Sequence, residues 1–232
     1  MNTLTNIVRK AVRATGFDMV HYAPWQNLFE QFAIDMIFDV GANSGQTYES
    51  FRWAGFKGPI CSFEPNPDMF QLLQRQSGFA WQRLPYALSN LSGQVEFHIT
   101  DNDNTSSFQV PLGHAHIVKD ITVSAFRLDE LWDKQHFSCK NAFLKIDTEG
   151  HDLEVIKGAS GVLDRIPLIM AEVSPLPRFQ GEPLLPDVVN YMGQLGYCVC
   201  RINQNGMNRA AGIYAVLDII FAKRELLEKI KP

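Results

Sequence analysis

The chain has 232 residues, enough for one domain with a sizeable core. A hydrophobic content of 46% and a charged content of 20% are ordinary for a globular protein, and a net charge of −4 argues against nucleic acid as a partner. No stretch approaches the roughly 20 apolar residues of a membrane helix, so we expect no integral membrane span.

The N-terminal segment, residues 1–35, is predicted to form a helical extension of a domain that spans residues 36–232. Its first stretch, MNTLTNIVRKAVRATGF, is too polar for the apolar core of a signal peptide. The four cysteines form no CxxC pair and have no zinc-site spacing with histidine, which is typical of reduced thiols. These features lead us to expect a cytoplasmic protein.

The first strand of the domain is predicted at MIFDV, which places Asp39 near its end. Gly41 and Gly45 follow, and they indicate a tight turn with close approach of the backbone to a ligand, before a helix with free N–H groups. A GxGxxG dinucleotide motif would require glycine at Asn43 and Gln46, and no Gly-Lys-Ser/Thr of a P-loop follows. Asp39 therefore favours a ligand with a positive centre over a diphosphate.

The second predicted strand, GPICSFEP, ends at Glu64 before Pro65, and a helix follows it. Glu64 lies at about the spacing after Asp39 at which nucleotide folds place an acid that binds ribose hydroxyls, roughly 20 residues. A nucleoside with a cationic amino-acid tail satisfies both acids. The pair therefore favours S-adenosylmethionine as cofactor.

The middle of the chain is predicted to hold a third strand, WQRLPYALS, interrupted by Pro85, and a half-exposed strand, GQVEFHIT. Ala87, Leu88 and Ser89 either border an adenine ring or pack in the core. Residues 101–120 are polar and are predicted to form a long loop of functional importance or mobility. Its His114 and His116 lack a nearby third ligand, so a solvated loop is favoured over a metal site.

The rest of the chain continues the alternation of strand and helix. The predicted elements are a short strand and helical turn in ITVSAFRLDELW, a strand in NAFLKID, a helix in HDLEVIKGASGVLDRI, a strand in PLIMAEVS, a helix around Val188 to Leu195, and an antiparallel pair in YCVCRIN and AVLDIIFAK. This pattern predicts an α/β fold with a mostly parallel sheet covered on both faces. The strand carboxyl ends then share one edge, where ligands bind.

Polar residues recur at these predicted strand ends. They are Asp39, Glu64, Ser89, Asp147 and Glu172. Gathered at one edge of a sheet, they predict an acidic crevice that accepts hydrogen bonds.

Several of these segments together resemble the FkbM family of S-adenosylmethionine-dependent methyltransferases. The resemblance rests on FDVGANSGQTYESF, SFEPNPDMFQLL, NTSS, LDEL and, most specifically, LKIDTEGHDLEVIKGA, and it covers roughly residues 35–175. It implies a class I, Rossmann-like methyltransferase fold with seven strands, of which the last is antiparallel. It also implies O-methylation of a hydroxyl on a sugar, a glycan or another small natural product.

The predicted site follows from the motifs and the resemblance together. The cofactor-binding residues are expected to be Asp39, Gly41, Ala42, Asn43, Gly45, Gln46, Glu64, Pro65, Ala87, Leu88, Ser89, Asn104, Ser106 and Asp147. His151 and Asp147 are candidate catalytic residues that would accept the hydroxyl proton. Glu172 and Asp147 have the oxygen ligands that suit a divalent ion, but nothing in the sequence requires a metal, and none is predicted.

Two other classes of function stay open at this point: a non-catalytic nucleoside-binding regulatory module and a nicotinamide-dependent oxidoreductase. The expected partner is a small-molecule or glycan hydroxyl acceptor and no nucleic acid. The sequence leaves open whether oxygen or nitrogen accepts the methyl group, and whether the protein is a homodimer.

Overall fold

The computed structural model describes most of the chain from residue 25 onward. The described ranges are 25–102, 105–113, 115–208 and 213–230, with the backbone alone at 204–208, and four isolated positions, 8, 12, 14 and 15. The predicted extension at residues 1–35 lies largely outside these ranges, and its last part contains helix α1, Trp25–Gln31. The division of the chain at residue 35 stays a prediction.

The strands of the described ranges form two sheets. In chain order they are β1 Met36–Val40, β2 Ile60–Phe63, β3 Trp81–Leu84, β4 Ala87–Leu88, β5 Gly93–Thr100, β6 Ile117–Phe126, β7 Ala142–Ile146, β8 Leu168–Val173, β9 Tyr197–Asn208 and β10 Ile213–Lys223. The larger sheet has seven strands in the order β3-β2-β1-β7-β8-β10-β9. Neighbours from β3 to β8 are parallel, and β10 is antiparallel to both β8 and β9. The predicted mostly parallel sheet with an antiparallel last strand is confirmed.

Helices cover the sheet on both faces. After α1 they are α2 Gln46–Trp53, α3 Pro67–Arg75, α4 Leu128–Lys134, α5 Asp152–Gly158, a 3₁₀ helix Ser160–Arg165, α6 Leu185–Gln194 and α7 Arg224–Leu227. Successive side chains of a strand point to opposite faces. Ile37 therefore joins a core cluster with Phe29 of α1 and Phe51 of α2, while Phe38 packs on Trp132 of α4. This burial on two faces explains why β1 and β7 read as continuous apolar runs.

A second, three-stranded sheet in the order β4-β6-β5 was not predicted. The prediction of a long loop over residues 101–120 is wrong from Ile117 onward, because β6 begins there and pairs with β5 along its length. The predicted third strand also divides at Pro85 and Tyr86 into β3 and β4, which belong to different sheets. Proline cannot donate a ladder hydrogen bond, and it marks the point of division.

The helix predicted after Asp147 is shorter than expected. It ends at Gly158, and Ser160–Arg165 continue as a 3₁₀ helix. A Cβ atom at Gly158 would overlap the carbonyl oxygen of Ser89, so α5 packs directly on the backbone that follows β4. All four cysteines fall in the described ranges and carry free thiols. No helix in those ranges has the length and hydropathy needed to cross a bilayer.

Candidate active site

A cavity of about 470 Å³ opens at the carboxyl edge of the parallel strands. Its wall contains the turn after β1 and the ends of β2, β7 and β8, and the small sheet contributes Phe97 to one side. Small-molecule sites typically have volumes of about 300–1,000 Å³. The crevice predicted at the strand ends is therefore present as a cavity of the size of a ligand site.

The turn after β1 has a backbone conformation that favours glycine. Gly41 and Gly45 have φ angles of 77° and 103°. A Cβ atom at Gly41 would overlap the backbone carbonyl oxygen of Asp147, and one at Gly45 would press on the Trp81 ring. At both positions, glycine thus permits close approach to another part of the protein. The close approach that the sequence predicts for a ligand thus also occurs between parts of the protein itself.

Backbone N–H groups in this turn already have acceptors within the protein. Gly41 and Ala42 donate to the carbonyl of Phe63, and Gly45 donates to the carbonyl of Ala42. The next free donors lie in the first turn of α2, where helical N–H groups lack intrahelical partners. Gln46 and Thr47 of that turn line the cavity.

Glu64 lines the cavity immediately after β2, and it fixes the two loops beside it. Its Oε2 accepts a hydrogen bond of 2.8 Å from the backbone N–H of Asn43, and its Oε1 accepts one of 2.8 Å from Asn66. Burial raises the pKa of Glu64 to about 7, although the two hydrogen bonds act in the opposite direction. Each carboxylate oxygen has a second lone pair that remains for a ligand hydroxyl.

Asp39 lies behind the cavity wall instead of in it. Its side chain is completely buried and is not part of the cavity lining. Ser62 Oγ donates a hydrogen bond of 3.1 Å to Asp39 Oδ2, and Lys145 Nζ lies 3.3 Å from Oδ1. The structure therefore places Asp39 away from the cavity surface, with its two oxygens facing other residues of the sheet, and its predicted contact with the cofactor stays a prediction.

Lys145 of β7 also lines the cavity. Its Nζ lies 3.2 Å from Asp147 Oδ2, and it also faces Asp39. Burial acts to lower the pKa of Lys145, but the two carboxylates raise it above its usual value. An ammonium group is therefore permanently present beside Asp147 at neutral pH.

Three acids meet at the far side of the cavity. Carboxylate oxygens of Asp147, Glu149 and Glu172 lie within 4.8 Å of one another, close enough to share one cation. Arg178 already contacts two of them, with Nη1 3.1 Å from Glu149 Oε2 and Nη2 2.7 Å from Glu172 Oε2. Burial raises the pKa of both glutamates, and Arg178 opposes that shift. The absence of a metal stays a prediction.

His151, a predicted general base, does not line the cavity. Its Nε2 lies 2.9 Å from Ser89 Oγ, and its ring packs at 4.4 Å on Phe108, which does line the cavity. Burial lowers the pKa of His151 to about 4, so the ring is neutral at pH 7 and is a weak base. Asp147 is the predicted catalytic residue that the structure places at the cavity surface.

The other predicted cofactor-binding residues divide by position. Those that line the cavity are Gly41, Ala42, Asn43, Gln46, Glu64, Pro65, Ala87, Leu88, Ser106 and Asp147. Asp39, Gly45 and Ser89 are buried beside it. Asn104 lies outside the described residues, as does His114.

Sequence reasoning missed much of the apolar wall. Its side chains are Met69, Tyr86, Phe97, Phe108 and Val216. They come from distant segments, and each one alone looks like an ordinary core residue. The alternation in β5 was the available signal for Phe97, but no local pattern shows that the small sheet faces this cavity.

Comparison with known proteins gives one family and several relatives. The family model described as the methyltransferase FkbM domain matches residues 39–199, more than two thirds of the chain. A hexuronic acid methyltransferase, AglP, from Haloferax volcanii is 32% identical over 142 residues, which are 60% of this chain and 56% of that protein. The chain thus matches little more than half the length of this curated relative.

The solved structures that match this fold have low sequence identity to the chain. A structure described as a putative RNA methyltransferase from Pyrococcus horikoshii has a TM-score of 0.47 at 9% identity, covering 86% of this chain and 80% of its own. A putative rRNA methylase from Clostridium thermocellum has a TM-score of 0.48 at 9% identity, covering 88% and 100%.

Proposed function

The chain belongs to the FkbM methyltransferase family, and we propose that it transfers the methyl group of S-adenosylmethionine to a hydroxyl group of a sugar or glycan. The observation that carries the proposal is the overlap of the family match, residues 39–199, with the cavity at the strand ends. The Haloferax volcanii relative, named as a hexuronic acid methyltransferase, supports a sugar-type acceptor. The match covers only 56% of that relative, so the sugar-type acceptor is part of what we propose.

The cavity has suitable groups for the ribose, the adenine and the carboxylate of S-adenosylmethionine. The remaining lone pairs of Glu64 suit the two ribose hydroxyls, and Ala87, Leu88 and Phe108 offer an apolar surface for adenine. The first turn of α2, with its partial positive charge, suits the carboxylate of the methionine tail. These residues would hold the cofactor, which supplies an electrophilic methyl carbon on sulfur when it is bound.

Asp147 is the residue that we assign to the acceptor hydroxyl. Its side chain is 38% exposed, whereas that of Lys145 beside it is 5% exposed, so the carboxylate reaches the cavity while its counter-ion stays in the wall. A carboxylate there accepts the hydrogen bond of an incoming hydroxyl and aligns the oxygen for attack. Such positioning of two substrates in a site shielded from water supplies much of the catalysis in reactions of this kind.

We further propose a cytoplasmic location and an acceptor that is not a nucleic acid. Support for the second point is the net charge of −4 and the acids at the cavity, which repel a phosphate backbone. The homodimer left open by the sequence stays a prediction.

Cofactor binding is tested first, by calorimetry with S-adenosylhomocysteine and, separately, with NAD. We expect the first to bind and the second not, and we expect Glu64→Ala to abolish binding. Glu49→Ala is a matched control, because Glu49 is an exposed acid on α2 outside the cavity. Binding of NAD alone would favour the oxidoreductase, and unchanged affinity in Glu64→Ala would refute the assigned site.

Turnover is tested by incubating the protein with S-adenosylmethionine carrying a deuterated methyl group and a panel of sugars, uronic acids and glycans. Mass spectrometry should show the label on an acceptor oxygen. Binding of S-adenosylhomocysteine with no labelled product across the panel would instead support the non-catalytic nucleoside-binding module.

A further inference from the structure

Two acids at the ends of neighbouring strands, Asp39 and Glu64, have different surroundings. Glu64 follows the last residue of β2 and lines the cavity. Asp39 lies one residue inside the end of β1, and its side chain is completely buried. A buried carboxylate is costly unless it is paired and hydrogen-bonded. The partners of Asp39 therefore indicate what this residue does.

Strand register places those partners beside it. Asp39 pairs with Ser62 of β2 on one side and with Lys145 of β7 on the other. Ser62 Oγ donates to Asp39 at 3.1 Å and itself accepts a hydrogen bond of 3.0 Å from Trp81 Nε1. Asp39 Oδ2 is thus held by a hydroxyl that is itself hydrogen-bonded, and Oδ1 lies 3.3 Å from Lys145 Nζ.

Lys145 connects the buried acid to the exposed one. An ammonium group has three N–H donors. Three acceptors surround Nζ: Asp39 Oδ1 at 3.3 Å, Asp147 Oδ2 at 3.2 Å and the carbonyl oxygen of Gly41 at 3.5 Å. The side chain of Lys145 is only 5% exposed, so the position of its ammonium group is set by these contacts and not by solvent.

We propose that Asp39 is a positioning residue, which acts through Lys145 to fix the carboxylate of Asp147 where the acceptor hydroxyl binds. The inference rests on the proposed function, since Asp147 is the residue assigned there to the acceptor. Without Asp39, the ammonium group loses one of its three acceptors and can shift toward solvent with Asp147. The two hydrogen bonds that hold Glu64 come from the backbone of Asn43 and Asn66 and involve neither Asp39 nor Lys145.

Substitution of Asp39 should lower kcat, whereas substitution of Glu64 should lower the affinity for the cofactor. Asp39→Asn keeps the shape of the side chain and removes its charge, and Glu64→Gln does the same in the cavity wall. For Asp39→Asn we expect a fall in kcat of about ten- to a hundredfold, the size that small misplacements produce, with the affinity for S-adenosylhomocysteine within about threefold of wild type. For Glu64→Gln we expect the affinity to fall and kcat at saturating cofactor to change less.

A double-mutant cycle tests whether Asp39 acts through Lys145. The variants are Asp39→Asn, Lys145→Met and the two together, and kcat is measured for each with the acceptor found in the labelling screen. If Asp39 works only through Lys145, the double variant is as slow as Lys145→Met alone, because neighbouring residues in one network are not additive. Multiplied losses in the double variant would refute the inference.

The double variant also guards against misfolding. It removes both members of the buried pair, which is tolerated better than leaving one charge alone. If Lys145→Met, which leaves Asp39 as a lone buried charge, does not fold, the split between kcat and cofactor affinity in Asp39→Asn decides the question. A lowered melting temperature with unchanged kcat in Asp39→Asn would show a purely structural role, and loss of cofactor affinity equal to that of Glu64→Gln would show a binding role.

Failure of the proposed function can be distinguished from failure of the positioning role of Asp39. If the wild-type protein neither binds S-adenosylhomocysteine nor labels any acceptor, the proposed function fails. If the wild type is active and the cycle is additive, only the positioning role of Asp39 fails.

Discussion

The pH dependence of cofactor binding should report the state of Glu64. Burial raises the pKa of this carboxyl from 4.5 to about 7 in the ligand-free protein. The ionised form is the one that accepts hydrogen bonds from two hydroxyl groups, and the protonated form has lost part of that capacity. Affinity for S-adenosylhomocysteine should therefore increase as the pH rises through 7.

The magnitude follows from the ionised fraction. With a pKa of about 7, roughly one tenth of Glu64 is ionised at pH 6 and roughly nine tenths at pH 8, because each pH unit changes the ratio tenfold. Affinity should thus improve about tenfold over this range. His151 does not contribute, because burial lowers its pKa to about 4 and it stays neutral throughout.

Stability of the ligand-free protein should respond to Glu64 with the opposite sign. A carboxyl whose pKa is raised in the folded state holds its proton there when the unfolded chain has released it. Its contribution to stability is present below pH 4.5 and is lost as the pH rises to about 7. Other buried acids titrate in the same range, so the quantity to compare is the difference between the wild type and Glu64→Gln.

Calorimetric titrations at half-unit steps from pH 6 to pH 8 test the affinity, and thermal melts of the ligand-free protein from pH 4.5 to pH 8 test the stability. Glu64→Gln is the control, because glutamine has nearly the same size as glutamate but does not titrate. Any pH dependence that comes from the ligand itself remains in this variant. A wild-type affinity that runs parallel to that of Glu64→Gln across the range would refute the reasoning.

Four further outcomes follow from packing and charge. Gly41→Ala should cost about 1–3 kcal/mol of unfolding free energy from its φ of 77° alone, and more from overlap with the carbonyl of Asp147, as measured by urea denaturation. Gly193→Ala in α6 has open space around it and should instead stabilise by up to about 1 kcal/mol. Arg178→Met should destabilise by about 1–3 kcal/mol, because Glu172 and Ser174 lose their hydrogen bonds to the guanidinium while the two glutamates take up protons, and a melt that stays at the wild-type temperature would contradict this. Since Arg178 already supplies a positive charge to these acids, EDTA should leave turnover unchanged, and a loss restored by Mg²⁺ would contradict the expectation.

The central sheet could be predicted because its strands are buried on both faces. Such strands read as uninterrupted apolar runs between glycines and prolines, and β1 and β7 are of this kind. The small sheet could not be predicted in the same way. The first four residues of β6, Ile117 to Asp120, are all exposed, so the alternation that marks a half-buried strand is absent there.

The candidate site was predictable in its location but not in its contacts. Strand carboxyl ends share an edge in any such sheet, and this rule placed Glu64 and Asp147 correctly at the cavity. Whether an acid points into the cavity depends on its offset from the strand end and on the register with its neighbours. Because of these long-range features, Glu64 lines the cavity while Asp39 does not, and His151 contacts Ser89.

A signal for the buried network was nonetheless present in the sequence. The strands MIFDV, ICSF and AFLKI each have one polar residue at the penultimate position, namely Asp39, Ser62 and Lys145. Side chains at equivalent positions of parallel strands point to the same face, so in-register pairing brings these three together. An acid, a hydroxyl and an ammonium group that would each be costly alone become partners of one another. A polar residue inside an apolar strand is therefore better explained by the strands beside it than by a ligand beyond its end.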